Sequence, residues 1–455
     1  MNTELNITNQ KIVKATTKME IFQYGFGGIT VNISYGVITS FLLFFWTNSA
    51  LVPAAAAGTI LFIGRLAGVI TDPLAGIISD NTNTRWGKYR PYLIFITPVF
   101  MLLFYLLFTN YDMATTPKVI FYGILYFLYM AFSAVVTVNY ESLVPIMSTD
   151  LKQRNYVVMS RQLFGIFSMV LVVALTNPMV KAFGNNLMAW HKTILIFIVV
   201  SILAMMISLR GSKRHDVCSH GGNEGIKKVD FIGQLKMVLT CKPVLLLLIP
   251  FGLIILASEV ATASSMYLFK YAIKNVDLFS ITNIVSLPAI LLASISVPML
   301  VGKFGKKRIF IIACLMSMIR PLIFLIIQPF NSSALLIGLY AFAAYFQVVA
   351  VVTIWTMVPD CVEYILLKEG LKNSGTVTSS FTFMLDVGGA IAGVLVGGIL
   401  GLAGYVAVEV QPHAVVQTII GINSVIPMIA FIIAIVIVKF YPITNKLLED
   451  LKVNQ

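Results

Sequence analysis

Charged side chains are scarce in this chain, at 11% of 455 residues, against about 25% in soluble domains. With 58% hydrophobic residues and a mean hydropathy of +0.90, that scarcity excludes an ordinary water-soluble domain. Cysteine is rare as well. Cys218, Cys241, Cys314 and Cys361 show no CxxC spacing, so they read as reduced thiols rather than as a disulfide framework or a zinc site. His191, His215, His220 and His413 all fall in predicted loops, which leaves no HExxH metal pair and no histidine relay inside the apolar segments. A nucleophile elbow and a nucleotide-binding loop are also missing, so neither an enzyme nor a protein-bound cofactor is expected.

What is present is a series of apolar runs. Twelve stand at roughly 20–46, 52–79, 91–109, 117–146, 155–180, 192–209, 243–272, 278–301, 308–328, 334–364, 373–402 and 417–440. A bilayer core needs about 20 helical residues to cross, and these runs do not alternate as barrel strands would. The expectation is an all-α polytopic membrane protein with twelve transmembrane helices in two six-helix bundles. The longest polar stretch, 210–242, contains Arg210-Gly-Ser-Lys-Arg214 and Gly221-Gly-Asn-Glu-Gly225, and it divides six spans from six. It predicts a first bundle over 1–209, a cytoplasmic linker over 210–242, and a second bundle with a short tail over 243–455.

The formal charge of +13 is topological rather than a nucleic-acid signal. With the N-terminus inside, 24 Lys and Arg residues fall on the cytoplasmic side and five (Lys118, Lys181, Lys192, Lys270 and Lys274) on the other. Arg65, Arg161 and Arg320 remain within the spans. The positive-inside rule then puts both termini in the cytoplasm of a cell-membrane protein. The first 18 residues are polar and lead directly into a long span without a small-residue cleavage site, so no removable leader is expected.

Acids at bilayer depth cost about 3 kcal/mol or more and mark functional positions by default. Asp72 is one, in Arg65-Leu-Ala-Gly-Val-Ile-Thr-Asp72-Pro73-Leu-Ala-Gly76-Ile-Ile-Ser-Asp80. It precedes the basic turn Thr84-Arg85-Trp86-Gly87-Lys88-Tyr89-Arg90-Pro91. Two readings stand: a coupling site for a cation, or a structural acid fixing the loop. A second loop, Val301-Gly302-Lys303-Phe-Gly305-Lys306-Lys307-Arg308, is likewise short, glycine-containing and basic, like the signature loops of the major facilitator superfamily.

The stretch from Asp72 to Pro91 closely resembles the glycoside–pentoside–hexuronide:cation symporters, the melibiose permease-like family. Further stations agree in order: Tyr24-Gly25-Phe26-Gly27, Ser142-Leu143-Val144-Pro145, and Met357-Val-Pro359-Asp360-Cys-Val-Glu363-Tyr364. The resemblance covers essentially all twelve spans. It implies a major facilitator fold, alternating access, and a central site for a glycoside or oligosaccharide coupled to H⁺ or Na⁺.

Carried over residue by residue, the resemblance implies a cation site at Asp72, with Thr71 lending a hydroxyl. The family's other carboxylate of this span is Gly68 here. One carboxylate and one hydroxyl make a poor Na⁺ cage, since hard cations take several oxygens. A lone carboxylate is a plausible proton carrier, because desolvation penalises its charged form. H⁺ is therefore favoured, with Na⁺ at Asp72 the alternative. For the solute, a family Asp in the first span aligns with Asn32, one in the fourth with Thr137, and a ring-stacking aromatic with Glu141. Tyr140 offers an aromatic surface displaced around the helix, and Arg161 matches a family Arg near the sugar. A common Lys of the eleventh span is Val387, beside Asp386, and an Arg after the tenth is replaced near Asn373.

Asn32, Thr137, Tyr140, Glu141, Arg161 and Asp386 are thus the expected solute residues. Glu141 with Arg161 could equally be a pair joining two helices, and Asp386 could pair between bundles. Asp80, Arg85, Lys88, Arg90, Asp360 and Glu363 are expected to form a cytoplasmic gate. Glu259 is assigned to the cavity or its outer mouth, and Arg65 and Arg320 to snorkelling or pairing, with packing the default. Trp355 and Phe381 are assigned either to stacking on a pyranose face or, as is usual for aromatics in apolar helices, to the core. The expected unit is a monomeric importer in the lipid bilayer. Its rivals are a uniporter, an exchanger or a carrier of a lipid-like solute on the same scaffold, and, from another class, a membrane enzyme or a non-transporting sensor.

Overall fold

The computed structural model describes residues 16–80, 82, 84–148, 151–216, 241–369 and 374–443. Among them, eleven helical segments have the length and apolarity to cross a membrane, and a further 27-residue helix at Ala54–Asp80 completes the series of twelve. In chain order they are α1 (Lys18–Asn48), α2 (Ala54–Asp80), α3 (Arg90–Leu107), α4 (Thr115–Met147), α5 (Leu151–Ala182) and α6 (Leu187–Ser212). The second half supplies α7 (Lys242–Ala272), α8 (Asp277–Phe304), α9 (Lys306–Ile326), α10 (Ser333–Glu369), α11 (Ser374–Leu402) and α12 (His413–Lys439). The helices form the two six-helix bundles expected from the apolar runs.

Local sequence explains how the ends are set. Thr17 and Glu20 form a capping box at the start of α1: the Thr17 hydroxyl accepts from the Glu20 amide at 3.2 Å, and the Glu20 carboxylate accepts from the Thr17 amide at 2.8 Å. The linker expected from residue 210 begins later. Helix α6 runs to Ser212, and the chain stays folded against the first bundle through Asp216. His191 is not in a loop but in the first turns of α6, packed on the Tyr105 ring. Loop-like polarity in Asn185-Asn186 hid that helix start, which Asn186 caps by accepting from the Ala189 amide at 2.9 Å. Cys314 and Cys361 are buried free thiols and Cys241 is buried as well, while Cys218 and His220 lie outside the described residues.

The membrane face on which α1 starts and α12 ends is called the near side, and the opposite face the far side. On the far side the halves are sealed together. The Thr47 and Tyr267 hydroxyls meet at 2.6 Å, and the Asn48 side-chain oxygen accepts from Tyr271 at 2.7 Å and Tyr405 at 3.0 Å. Lys181 and Asp277 pair at 2.5 Å, and the Phe41 and Phe279 rings meet edge to face at 5.6 Å. Helices α2 and α11 pass so closely that a Cβ on Gly397 would stand 2.5 Å from the Ala54 carbonyl oxygen. The core of the first bundle therefore continues through Tyr267, Phe279 and Tyr405 of the second, which also has a core of its own around Phe251, Phe310 and Phe431.

Candidate functional site: a charged chamber between the bundles

Two levels of charge face each other between the bundles. At mid-depth, Arg65 of α2 donates to Glu259 of α7 at 2.9 Å, and the Tyr35 hydroxyl of α1 donates to the other Glu259 oxygen at 2.7 Å. Arg65 also reaches the buried Tyr126 of α4. The pair is nearly dry, with side chains 10% and 15% exposed, yet Tyr35 is 42% exposed and so presents its ring to open space. Gly389 of α11 makes room for this group: a Cβ there would run into the Arg65 guanidinium. Asp386, one turn earlier on α11, lies within electrostatic range of Arg65 and Glu259.

Nearer the termini, Arg161 of α5 donates to Glu141 of α4 at 2.6 Å. The pair joins α4 to α5, and the Glu141 side chain remains about half exposed. Asp72 stands seven residues after Arg65, about 10 Å along α2. It is partly exposed, accepts no hydrogen bond among the described residues, and senses the charges of Asp386 and Glu141. Its neighbour Thr71 spends its hydroxyl proton on the Gly68 carbonyl at 3.2 Å. A Cβ at Gly68 would meet only the Met130 methyl, at 3.6 Å. This flank of Asp72 is therefore apolar.

The other expected solute residues divide. Asn32 is partly exposed and donates to the Gly28 carbonyl at 2.8 Å, lying against Gly165 of α5. Thr137 is partly exposed on α4, one turn before Glu141. Tyr140 is turned away from the chamber, which corrects its expected role. It is 2% exposed and stacks on Tyr24 at 4.7 Å. The hydroxyl of each ring donates to the other residue's carbonyl, at 2.7 and 2.8 Å. Both hydrogen-bonding ends and the facing ring are used in clamping α1 to α4. Phe381 is fully buried beside Phe251 and Trp355, as expected of core.

The residues expected to gate the near side form two separate networks, one in each bundle. In the first, Thr84 to Gly87 close a turn in which Gly87 takes φ +109°, and the following amides of Lys88, Tyr89 and Arg90 all donate to the Asp216 carboxylate at 2.8–3.0 Å. Arg85 lies over the Trp86 ring, and the Arg90 guanidinium donates to the Trp86 carbonyl at 3.2 Å. Next to Asp216, Arg214 and His215 reach Glu20 at 3.1 and 3.4 Å. In the second bundle, Lys306 binds both Asp360 oxygens at 2.7 Å and the Thr356 carbonyl at 3.0 Å. Glu363 follows Asp360 one turn later on α10. The side chain of Asp80 and the whole of Asn373 lie outside the described residues.

Residues 23–445 match the sequence profile of a family described as MFS/sugar transport protein. The chain belongs to that family. Among curated members, it is 28% identical over 440 residues to the uncharacterized symporter YnaJ of Bacillus subtilis, covering 95% of this chain and 94% of the relative. It is 28% identical over 442 residues to the glucuronide carrier protein homolog of Escherichia coli, with 95% and 94% covered. The isoprimeverose transporter of Lactiplantibacillus pentosus is 25% identical over 446 residues, with 95% and 91% covered. Among solved structures, the nucleoside transporter NupG superposes with a TM-score of 0.62 at 11% identity, covering 93% of this chain and 98% of that one. At that identity the likeness concerns the fold alone. The membership makes the chain a multi-pass transporter of the major facilitator superfamily, in a family of sugar and glycoside symporters.

Sequence reasoning undervalued three residues. Arg65, assigned to packing, and Glu259, left between cavity and outer mouth, are separated by 194 positions and share no motif, so their bond was not readable along the chain. Asp216 sits in what reads as the start of a polar linker. The one available signal was chemical: an acid at bilayer depth needs a partner, and Arg65 was a cation within a span that could supply one.

Proposed function

We propose that this chain imports an uncharged or weakly charged small glycoside or oligosaccharide together with H⁺, by alternating access, as a monomer in the cell membrane with both termini cytoplasmic. Asp72 carries the coupling. The observation behind this reading is its environment: a partly exposed carboxylate on α2 with no hydrogen-bond partner among the described residues, beside an apolar contact at Gly68 and a Thr71 hydroxyl proton already donated. One proton can neutralise such a group, whereas Na⁺ would look for several oxygens. Protonation removes the cost of burying the charge and lets the far side close around the loaded chamber. The sealed far side then corresponds to the state that releases solute inward.

The solute contacts follow from the chamber wall. Tyr35, Asn32, Thr137, Glu141, Arg161 and Asp386 present donors and acceptors suited to sugar hydroxyls. In proteoliposomes, Asp72→Asn should abolish uphill, protonophore-sensitive uptake while energy-independent exchange survives. Uphill uptake retained by the variant would sink the coupling role. A second reading, a carrier of a lipid-like solute, is favoured by one feature: an apolar groove of about 820 Å³ between α1, α5 and α8, lined by Phe22, Phe164, Phe167, Leu287 and Leu291. Uptake of a lysolipid without competition by any glycoside would favour it.

A further inference from the structure

Charge in the chamber is unbalanced, and the imbalance bears on which glycosides can enter. Arg65, Arg161 and Arg320 are the basic residues within the spans. Arg65 is held by Glu259 at 2.9 Å and Arg161 by Glu141 at 2.6 Å, so among the described residues both of these arginines already have their own carboxylate. Arg320 is elsewhere. Its guanidinium lies 4.7 Å over the Tyr340 ring and 5.8 Å over Phe324, inside the second bundle. Helix α11 itself carries no Lys or Arg, with Val387 beside Asp386. Two further acids, Asp72 and Asp386, face the chamber with no ion pair among the described residues.

We propose that the site selects glycosides without an anionic group and rejects those bearing a carboxylate or sulfonate. This rests on the glycoside reading above and narrows it. An incoming carboxylate would find both arginines occupied and two unpaired aspartates in its field. At chamber distances, like charges in a partly desolvated site weaken binding by tenfold or more. A neutral sugar meets the opposite situation. Asp386, the exposed part of Glu141 and the Tyr35 hydroxyl can exchange hydrogen bonds with vicinal hydroxyls without breaking either ion pair. Protonation of Asp72 in the loaded state leaves the sign unchanged, because Asp386 remains.

The test uses the full chain in lipid nanodiscs and matched solute pairs: methyl glucoside with methyl glucuronide, methyl galactoside with methyl galacturonide, and methyl xyloside as a smaller neutral member. Binding of a neutral member at least tenfold tighter than its 6-carboxylate partner supports the proposal. A glucuronide or galacturonide bound as tightly as its neutral partner, or more tightly, overturns it while leaving glycoside transport standing. Binding of none of these solutes overturns it together with the glycoside reading. Glu259→Gln supplies an internal ratio: releasing Arg65 should narrow the neutral-to-anionic preference by about tenfold, and an unchanged ratio contradicts the assignment.

Discussion

At the residue scale, the difference between Asp72 and Tyr140 shows what a chain can reveal about itself. Asp72 was legible because a carboxylate among apolar residues is costly, whatever surrounds it. Tyr140 was not, because a tyrosine displaced around a helix reads alike whether it looks into a cavity or clamps a neighbour. The reciprocal bonds with Tyr24 decide the matter, and they yield a prediction. Tyr140→Phe should lower thermal stability by about 1 kcal/mol, the usual worth of one buried hydrogen bond, and leave glycoside affinity unchanged. A variant of normal stability but impaired binding would return the ring to the site. The Arg65–Glu259 bond is the second residue-scale case. Removing one partner of a buried pair strands the other, so Glu259→Ala should cost about 3–5 kcal/mol. Arg65→Met with Glu259→Leu should recover most of that in a double-mutant cycle followed by thermal unfolding in detergent; additive losses would show that the two do not act as a pair.

At the element scale, the twelve spans were readable because each is long, apolar and bounded by charge or turn residues. Even the eleventh, expected over 373–402, starts at Ser374 and ends at Leu402. The breaks within spans were not readable. Helix α1 carries a π-helical turn at Ile38–Leu42, six residues before its far end, and α7 ends in one at Leu268–Ala272. Such turns widen a helix by one residue per turn and are frequent at functional sites, but no residue type announces them. Both adjoin the far-side seal around Thr47, Asn48, Tyr267 and Tyr271. The near-side loop teaches the converse. Its basic motif was plain in the sequence, whereas the acid that organises it comes from beyond α6. Asp216 satisfies three successive backbone amides, so Asp216→Ala should destabilise the first bundle by about 3 kcal/mol and expose the loop to protease. A loop as protected as in the wild type would contradict that role.

At the scale of the whole molecule, the halves meet at the far side and at mid-depth and differ in how their near sides are tied. The first bundle binds its loop through Asp216, and the second binds Lys306 to Asp360, each within one bundle. On the alternating-access reading proposed above, and among the described residues, the contacts to be exchanged in transport are those of the far side and the Arg65–Glu259 bond. Pairing between halves was beyond the sequence, since it depends on which spans face each other at a given depth. The family and the helix count were within it. The account stands on Asp72 as a proton site. It is tested most directly by loading Na⁺-free proteoliposomes with a pH-sensitive dye and adding a bound glycoside outside. Lumenal acidification that tracks solute entry, and that disappears in Asp72→Asn, is the predicted result. Solute entry that requires Na⁺ and moves no protons would contradict it.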